Sequence, residues 1–482
     1  MKEFENCLDK DFHFGYATAA VQIEGAWNVD DKGLSIWDKF SHLPNKIKDN
    51  TNVDETAEAY KFYKEDVQLL KSYGANAYRF SIAWSRIIPL GGRNDPVNAK
   101  GIEFYSNLID ELLANGITPF VTLFHWDTPQ ALEDRYNSFL NKEEFVADFC
   151  NYAKVCYEAF GDRVKHWITF NEPEVYSACA YLAGIFAPGR CSDRSKSSEG
   201  NSSTEPLIVS HNMLIAHANA VKIYRTEFQP TQNGTIGITL SGNWAEPWNP
   251  NDPRDVSAAE RMLVFDIARY ADPVFKSGDY PPEVRHQMGD RLPTFTPEES
   301  ALVLGSSDFY GMNTYTAFYI KHKDTPADDT DTKGNVVFEE TNWEGKPRGP
   351  KSATDWLCTT PWAFRKLLNW IYARYKYPIY LTEQGTTAPG ETAPTEDVLN
   401  DTFRIHYYTT YVESLARAVK EDGVVVKSYL AWSLLDNWEW ANGFTDRFGV
   451  TFVDFSSPEK TRYPKKSAYV LKELFQNLIK NE

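Results

Sequence analysis

The sequence predicts one α/β domain over residues 1–482, a single-domain (β/α)8 TIM barrel with its active site at the C-terminal ends of the strands. Three observations predict it. Eight short apolar runs alternate with amphipathic stretches. The 482 residues suffice for one large barrel. Two of the runs end on carboxylates, Glu172 and Glu383, where barrels of this class carry catalytic groups. A doubly wound open sheet is the rival for the alternation, and two or three smaller domains for the length. No composition shift marks a linker.

The strands read in order. Phe12–Ala20, Ala77–Trp84, Thr118–Phe124 and His166–Phe170 are rich in aromatic and β-branched residues, the composition of buried strands. Thr235–Ser241, Asp308–Asn313, Pro378–Thr382 and Val424–Trp432 complete the set. Between them, Asp54–Tyr73 repeats apolar residues at helical spacing and stops at Gly74. Gly101–Asn115 does the same and stops at Gly116. The polar stretches Cys191–Glu205 and Lys321–Lys351 read as surface loops.

Composition excludes several roles. A net charge of −17 repels phosphate backbones and anionic lipid, so neither nucleic acid nor membrane is an expected partner. The apolar runs are far shorter than the roughly 20 residues that span a bilayer. The first fifteen residues are charged and lack an apolar signal core, so the expected location is the cytoplasm. The six cysteines are too sparse for a disulfide scaffold and read as free thiols. Nine histidines without ligand spacing, and no strand followed by G-x-G-x-x-G, point to no metal and no nucleotide cofactor. Aromatic residues make up 15% of the chain, as suits either an aromatic-lined pocket or a core built from large side chains.

Two carboxylates at one rim suit glycosidic hydrolysis: one protonates the leaving oxygen, the other attacks the anomeric carbon or activates water. Polar and aromatic groups gather at the other strand ends. Arg79 ends the second run; His125 and Trp126 follow the third; Asn171 precedes Glu172. Asn313 and Tyr315 end the sixth; Trp432, Glu439 and Trp440 follow the eighth. Amides, imidazole, carboxylate and indole supply what a sugar ring needs, hydrogen bonds at its edges and a flat apolar face.

These motifs carry a resemblance. T-F-N-E-P, T-E-Q-G, H-W-D, Y-R-F-S-I-A-W-S-R-I and N-W-E-W, with F-H-F-G-Y-A-T-A-A-V-Q-I-E-G-A-W near the start, resemble family 1 glycoside hydrolases. The likeness covers essentially the whole chain, and D-F-Y-G-M-N-T-Y is most similar to the fungal intracellular branch. It implies a retaining β-glucosidase acting on cellobiose, short β-glucosides and aryl β-glucosides. In that reading Glu172 is the acid/base and Glu383 the nucleophile. Gln22, His125, Asn171, Glu439 and Trp440 bind the nonreducing sugar, and Trp432 is its platform. Arg79 and Tyr315 hold Glu383; Trp126, Asn313 and Phe448 line the pocket. Carboxyls roughly 5–5.5 Å apart disfavour double ionisation, so Glu172 is expected to keep a proton while Arg79 keeps Glu383 charged.

Two residues depart from the family pattern. Gln384 replaces the Asn of T-E-N-G, and its extra methylene could shift Glu383. Glu174 stands where relatives carry a bulky apolar residue, and is expected either on the aglycone side of the pocket or turned to solvent. Alternatives within the family are β-galactosidase, β-fucosidase or transglycosylating activity. A phospho-glycosidase is opposed by Glu439 and Asp446, and a thioglucosidase by Glu172. A weak sugar-binding relative is the reading from outside enzymology, though such proteins lose one or both glutamates. Oligomeric state is open.

Overall fold

The computed structural model describes residues 2–480. Eight parallel strands close into a barrel: β1 His13–Ala17, β2 Ala77–Ser81, β3 Thr118–Phe124, β4 His166–Asn171, β5 Thr235–Ser241, β6 Tyr310–Asn313, β7 Ile379–Gln384 and β8 Val426–Trp432. Each strand pairs with its neighbours in chain order, and β8 returns to β1. Both faces of a barrel strand are covered, one by the interior and one by helices, so the strands are nearly continuous apolar runs. All eight expected runs are barrel strands, and β3 and β5 have the expected bounds.

The other bounds differ for local reasons. The first run ends at Ala17, and Ala20–Ile23 turns into a short helix that carries Gln22 inward. The second ends at Ser81, because Trp84–Ile87 is already helical. The strands β4 and β7 run past the expected Phe170 and Thr382, so Asn171 and Glu383 lie within strands rather than beyond them. The helix expected from Asp54 starts at Ala59, since Thr56 and Glu58 take left-handed backbone angles that no helix continues through. The helix expected over Gly101–Asn115 is Ala99–Ala114, started by the Asn98 side chain accepting from Lys100 N–H.

The polar stretches are more ordered than composition suggests. Val336–Glu339 pairs with Ala317–His322 and, through it, with Trp244–Pro247 in a small sheet beside the barrel mouth. In the other stretch, Cys191 is buried and Glu205 begins the helix Glu205–Ile223.

The core lies between barrel and helices. The Trp84 ring stacks on Tyr152 at 4.8 Å, and Phe475 of the last helix stacks on Phe14 at 4.3 Å, covering the N-terminal end of β1. Inside the barrel, Phe120 stacks on His166 at 4.2 Å below the pocket floor. The six cysteines are unpaired. Among the described residues no helix is long and apolar enough to cross a membrane.

Candidate active site

A cavity of about 510 Å³ opens at the C-terminal end of the barrel. That volume suits a small ligand. Glu172 and Glu383 both reach it, with His125, Trp126, Asn171, Tyr315, Trp432, Glu439, Trp440 and Phe448.

Glu383, near the end of β7, is gripped on both oxygens. Arg79 Nη1 donates to Oε1 at 2.7 Å, and Tyr315 Oη donates to Oε2 at 2.7 Å. Arg79 sits mid-strand in β2, not at its end, and its long side chain rises through the barrel. Three more of its donors are also used: Nε on Thr122 Oγ1, Nη1 also on Thr382 O, Nη2 on Asn171 Oδ1 at 2.6 Å. All three guanidinium nitrogens are engaged, through four of the five N–H donors, so the charge is fixed in place. Tyr315 is held in turn by Tyr407 and Tyr411, whose hydroxyls donate to its carbonyl.

Glu172 follows β4. Asn313 Nδ2 donates to its Oε1 at 2.8 Å and to Asn171 Oδ1 at 3.0 Å, and Thr382 Oγ1 fixes Asn313 through its amide oxygen. One connected network therefore ties Glu172, Asn313, Asn171, Arg79 and Glu383. Glu172, Trp126 and Trp440 all have positive φ, at 47°, 71° and 51°. Each such backbone costs about 1–3 kcal/mol and is typical of residues aimed into a site.

Electrostatics divide the two carboxyls. Burial and then the charge of Glu383 push Glu172 up to about 8. Burial also raises Glu383, but Arg79 and the Tyr315 hydroxyl pull it back. The proton belongs on Glu172 and the charge on Glu383.

Around them is a polar and aromatic wall. Burial and the Arg79 charge hold His125 well below its usual range, so its imidazole is neutral. Its Nε2 meets Asn171 Nδ2, a donor, at 3.2 Å, which assigns the proton to Nδ1; that atom is buried without a protein partner. Gln22 donates to Asn437, to the Trp438 carbonyl and to Glu439, and leaves its own Oε1 unpaired. His125 lies parallel to Trp432 and Trp440 at 6.0 and 5.9 Å. Gln22 and Asn313 are fully buried behind the wall and do not line the cavity, a correction to the expectation for Asn313.

Glu174 also departs from expectation. It neither lines the cavity nor turns to solvent: it is 4% exposed and accepts from the Ser241 backbone N–H. The other outlier, Gln384, is buried with both amide atoms unpaired, while Glu383 beside it keeps its two partners.

Most of the outer wall was not legible in the sequence. Trp356, Asn243, Phe186 and Lys48 line the mouth. Asn243 follows the end of β5 by two residues, a strand-end signal that could have found it; Trp356, Phe186 and Lys48 sit on loops with no strand end or motif to single them out.

The Glycosyl hydrolase family 1 model matches residues 4–479. This chain belongs to glycosyl hydrolase family 1. It is 53% identical to beta-glucosidase 1B of Phanerodontia chrysosporium, over 98% of this chain and 86% of that one. A family 1 β-glucosidase from the fungus Humicola insolens, crystallised with glucose, superposes with a TM-score of 0.97 at 55% identity, covering 98% of this chain and 99% of that one. A mutant rice β-glucosidase in a covalent complex with Glc superposes at 0.93 with 44% identity, covering 98% and 99%. Family 1 membership accounts for the closed eight-stranded barrel and for the site at its C-terminal rim.

Proposed function

We propose that this protein is a retaining β-glucosidase that removes terminal nonreducing β-D-glucosyl residues from cellobiose, short β-glucosides and aryl β-glucosides. The observation that carries the proposal is the unequal treatment of two carboxyls in one cavity. Glu383 is clamped by Arg79 and Tyr315, and Glu172 is buried on an amide. An ionised carboxylate held by a cation is a nucleophile; a buried one with a raised pKa is an acid.

The reaction then runs in two displacements. Glu383 Oε2 or Oε1 attacks the anomeric carbon while Glu172 gives its proton to the glycosidic oxygen. The bond to the aglycone breaks and a glucosyl ester forms on Glu383. Burial still raises Glu172, but that ester is neutral, so the Glu383 charge that added to it is gone, and Glu172 now takes a proton from water. Water attacks the anomeric carbon, glucose leaves with its β configuration, and Glu383 is regenerated.

The sugar is bound by groups left free in the wall. His125 Nδ1–H donates to a hydroxyl, and Gln22, buried behind the wall, holds the Glu439 carboxyl toward the ring. The Glu439 carboxyl and the Trp440 indole face the same ring, and Trp432 supplies the flat surface. The six free thiols fit a reducing compartment, and we place the protein in the cytoplasm on that ground.

Release of nitrophenol from nitrophenyl β-D-glucoside tests the reading. The parent turns over and Glu383→Ala does not; a folded parent without turnover overturns it.

A further inference from the structure

Glu174 is a buried carboxyl beside the pocket to which the double displacement gives no part. Its position follows from how β4 and β5 end. The two strands pair up to Asn171 and Thr239. One step later Glu172 N–H still donates to Thr239 O at 2.9 Å. There β4 stops, because Pro173 opens the short helix Pro173–Ser177, whereas β5 continues to Ser241. The Ser241 N–H points to the side where β4 has run out. A backbone donor buried there is costly without a partner. Glu174 Oε1 accepts from it, in the place a strand carbonyl would have taken.

Glu172 therefore sits between two rungs. One is its own N–H on Thr239; the other is the Glu174 side chain on Ser241. Between them its backbone is held at φ 47°, a conformation that persists only where its surroundings impose it. The second oxygen of Glu174, Oε2, is buried with no partner. Burial pushes Glu174 well above the usual carboxylate range, so it adds no charge to the catalytic pair.

We propose that Glu174 is a positioning residue: its carboxyl extends the β4–β5 ladder by one rung and holds Glu172 in the turn from which it reaches the glycosidic oxygen. This rests on the acid/base reading of Glu172.

The test uses the full chain with Glu174→Gln, Glu174→Met and Glu172→Gln on two substrates. Methyl β-D-glucoside has a poor leaving group and needs the acid; dinitrophenyl β-D-glucoside does not. The readout is kcat/KM, which reports cleavage of the glycosidic bond. Met fills the space without an acceptor, and a displaced acid can cost about a hundredfold. Glu174→Met is therefore expected to lose about ten- to a hundredfold on the methyl glucoside and under about threefold on the dinitrophenyl glucoside. Glu174→Gln keeps an acceptor for Ser241 N–H and is expected within about threefold of the parent on both.

A Met variant with the parental ratio between substrates overturns the proposal. So does a Gln variant whose ratio shifts about tenfold, a result that decides the matter even if the Met variant does not fold. The control is separate: Glu172→Gln must lose the methyl glucoside. If it does not, the acid/base reading fails, whatever Glu174 does.

Discussion

At the scale of single residues, catalysis turns on where one proton sits. Below about pH 8 Glu172 holds it and can serve as the acid; as pH rises through that value the proton is lost and the rate falls. On the acid side Glu383 must stay ionised. Burial lifts it despite Arg79, so the acid limb of kcat/KM lies above the ordinary carboxylate range. A pH–rate profile checks both limbs. Glu172→Gln is expected to lose about a hundredfold to ten-thousandfold on substrates with poor leaving groups. Gln384 offers a stability test. Its two unpaired amide atoms are buried, and an unsatisfied buried group costs about 1–3 kcal/mol. Gln384→Met removes both, and thermal unfolding is expected to show a gain of about 1 kcal/mol. Glu172 and Glu383 were legible in the sequence because each closes an apolar run, a place where a bare carboxylate needs a reason. Glu174 was not. Its direction is set by an unpaired amide on Ser241, more than sixty residues away, and no local pattern records that.

At the scale of elements, the barrel strands were legible because burial on both faces leaves a continuous apolar signature. Their ends were less so. A strand continues as long as its neighbour offers ladder partners, and β7 reaches Gln384 because Glu383 and Gln384 still pair with β6 and β8. The small sheet at the mouth escaped because its strand Val336–Glu339 is half-exposed and polar-flanked. The rim loops are tied by ions as well. Arg404 pairs with Glu391 at 2.7 Å and with Asp401 at 3.0 Å; Lys465 bridges Glu391 and Asp436. Removing one partner of a buried ionic network costs about 3–5 kcal/mol, so Arg404→Met is expected to lower stability by that amount in denaturant unfolding. The same network gives a pH signature. Burial opposes the Glu391 charge, but Arg404 and Lys465 outweigh it and hold the carboxyl at about 2. A depressed carboxylate stabilises the fold above its unfolded value and stops doing so as pH falls through about 2.

At the scale of the whole molecule, function depends on closure of the barrel. Arg79 from β2, Asn171 from β4, Asn313 from β6 and Glu383 from β7 meet in one hydrogen-bonded network, so opening the barrel anywhere separates them. Activity and the near-ultraviolet signal of the aromatic core are therefore expected to disappear together on heating. The fold class was legible from alternation and length; the aromatic share found its place at both the core and the pocket wall. In the proposed reaction Glu383 becomes covalently glucosylated. The direct measurement is to incubate the protein with a fluorinated, slowly released β-glucoside and map the adduct by mass spectrometry. One sugar is expected on the peptide that carries Glu383, formed as activity is lost. An adduct elsewhere, or none from a protein that hydrolyses β-glucosides, would contradict it.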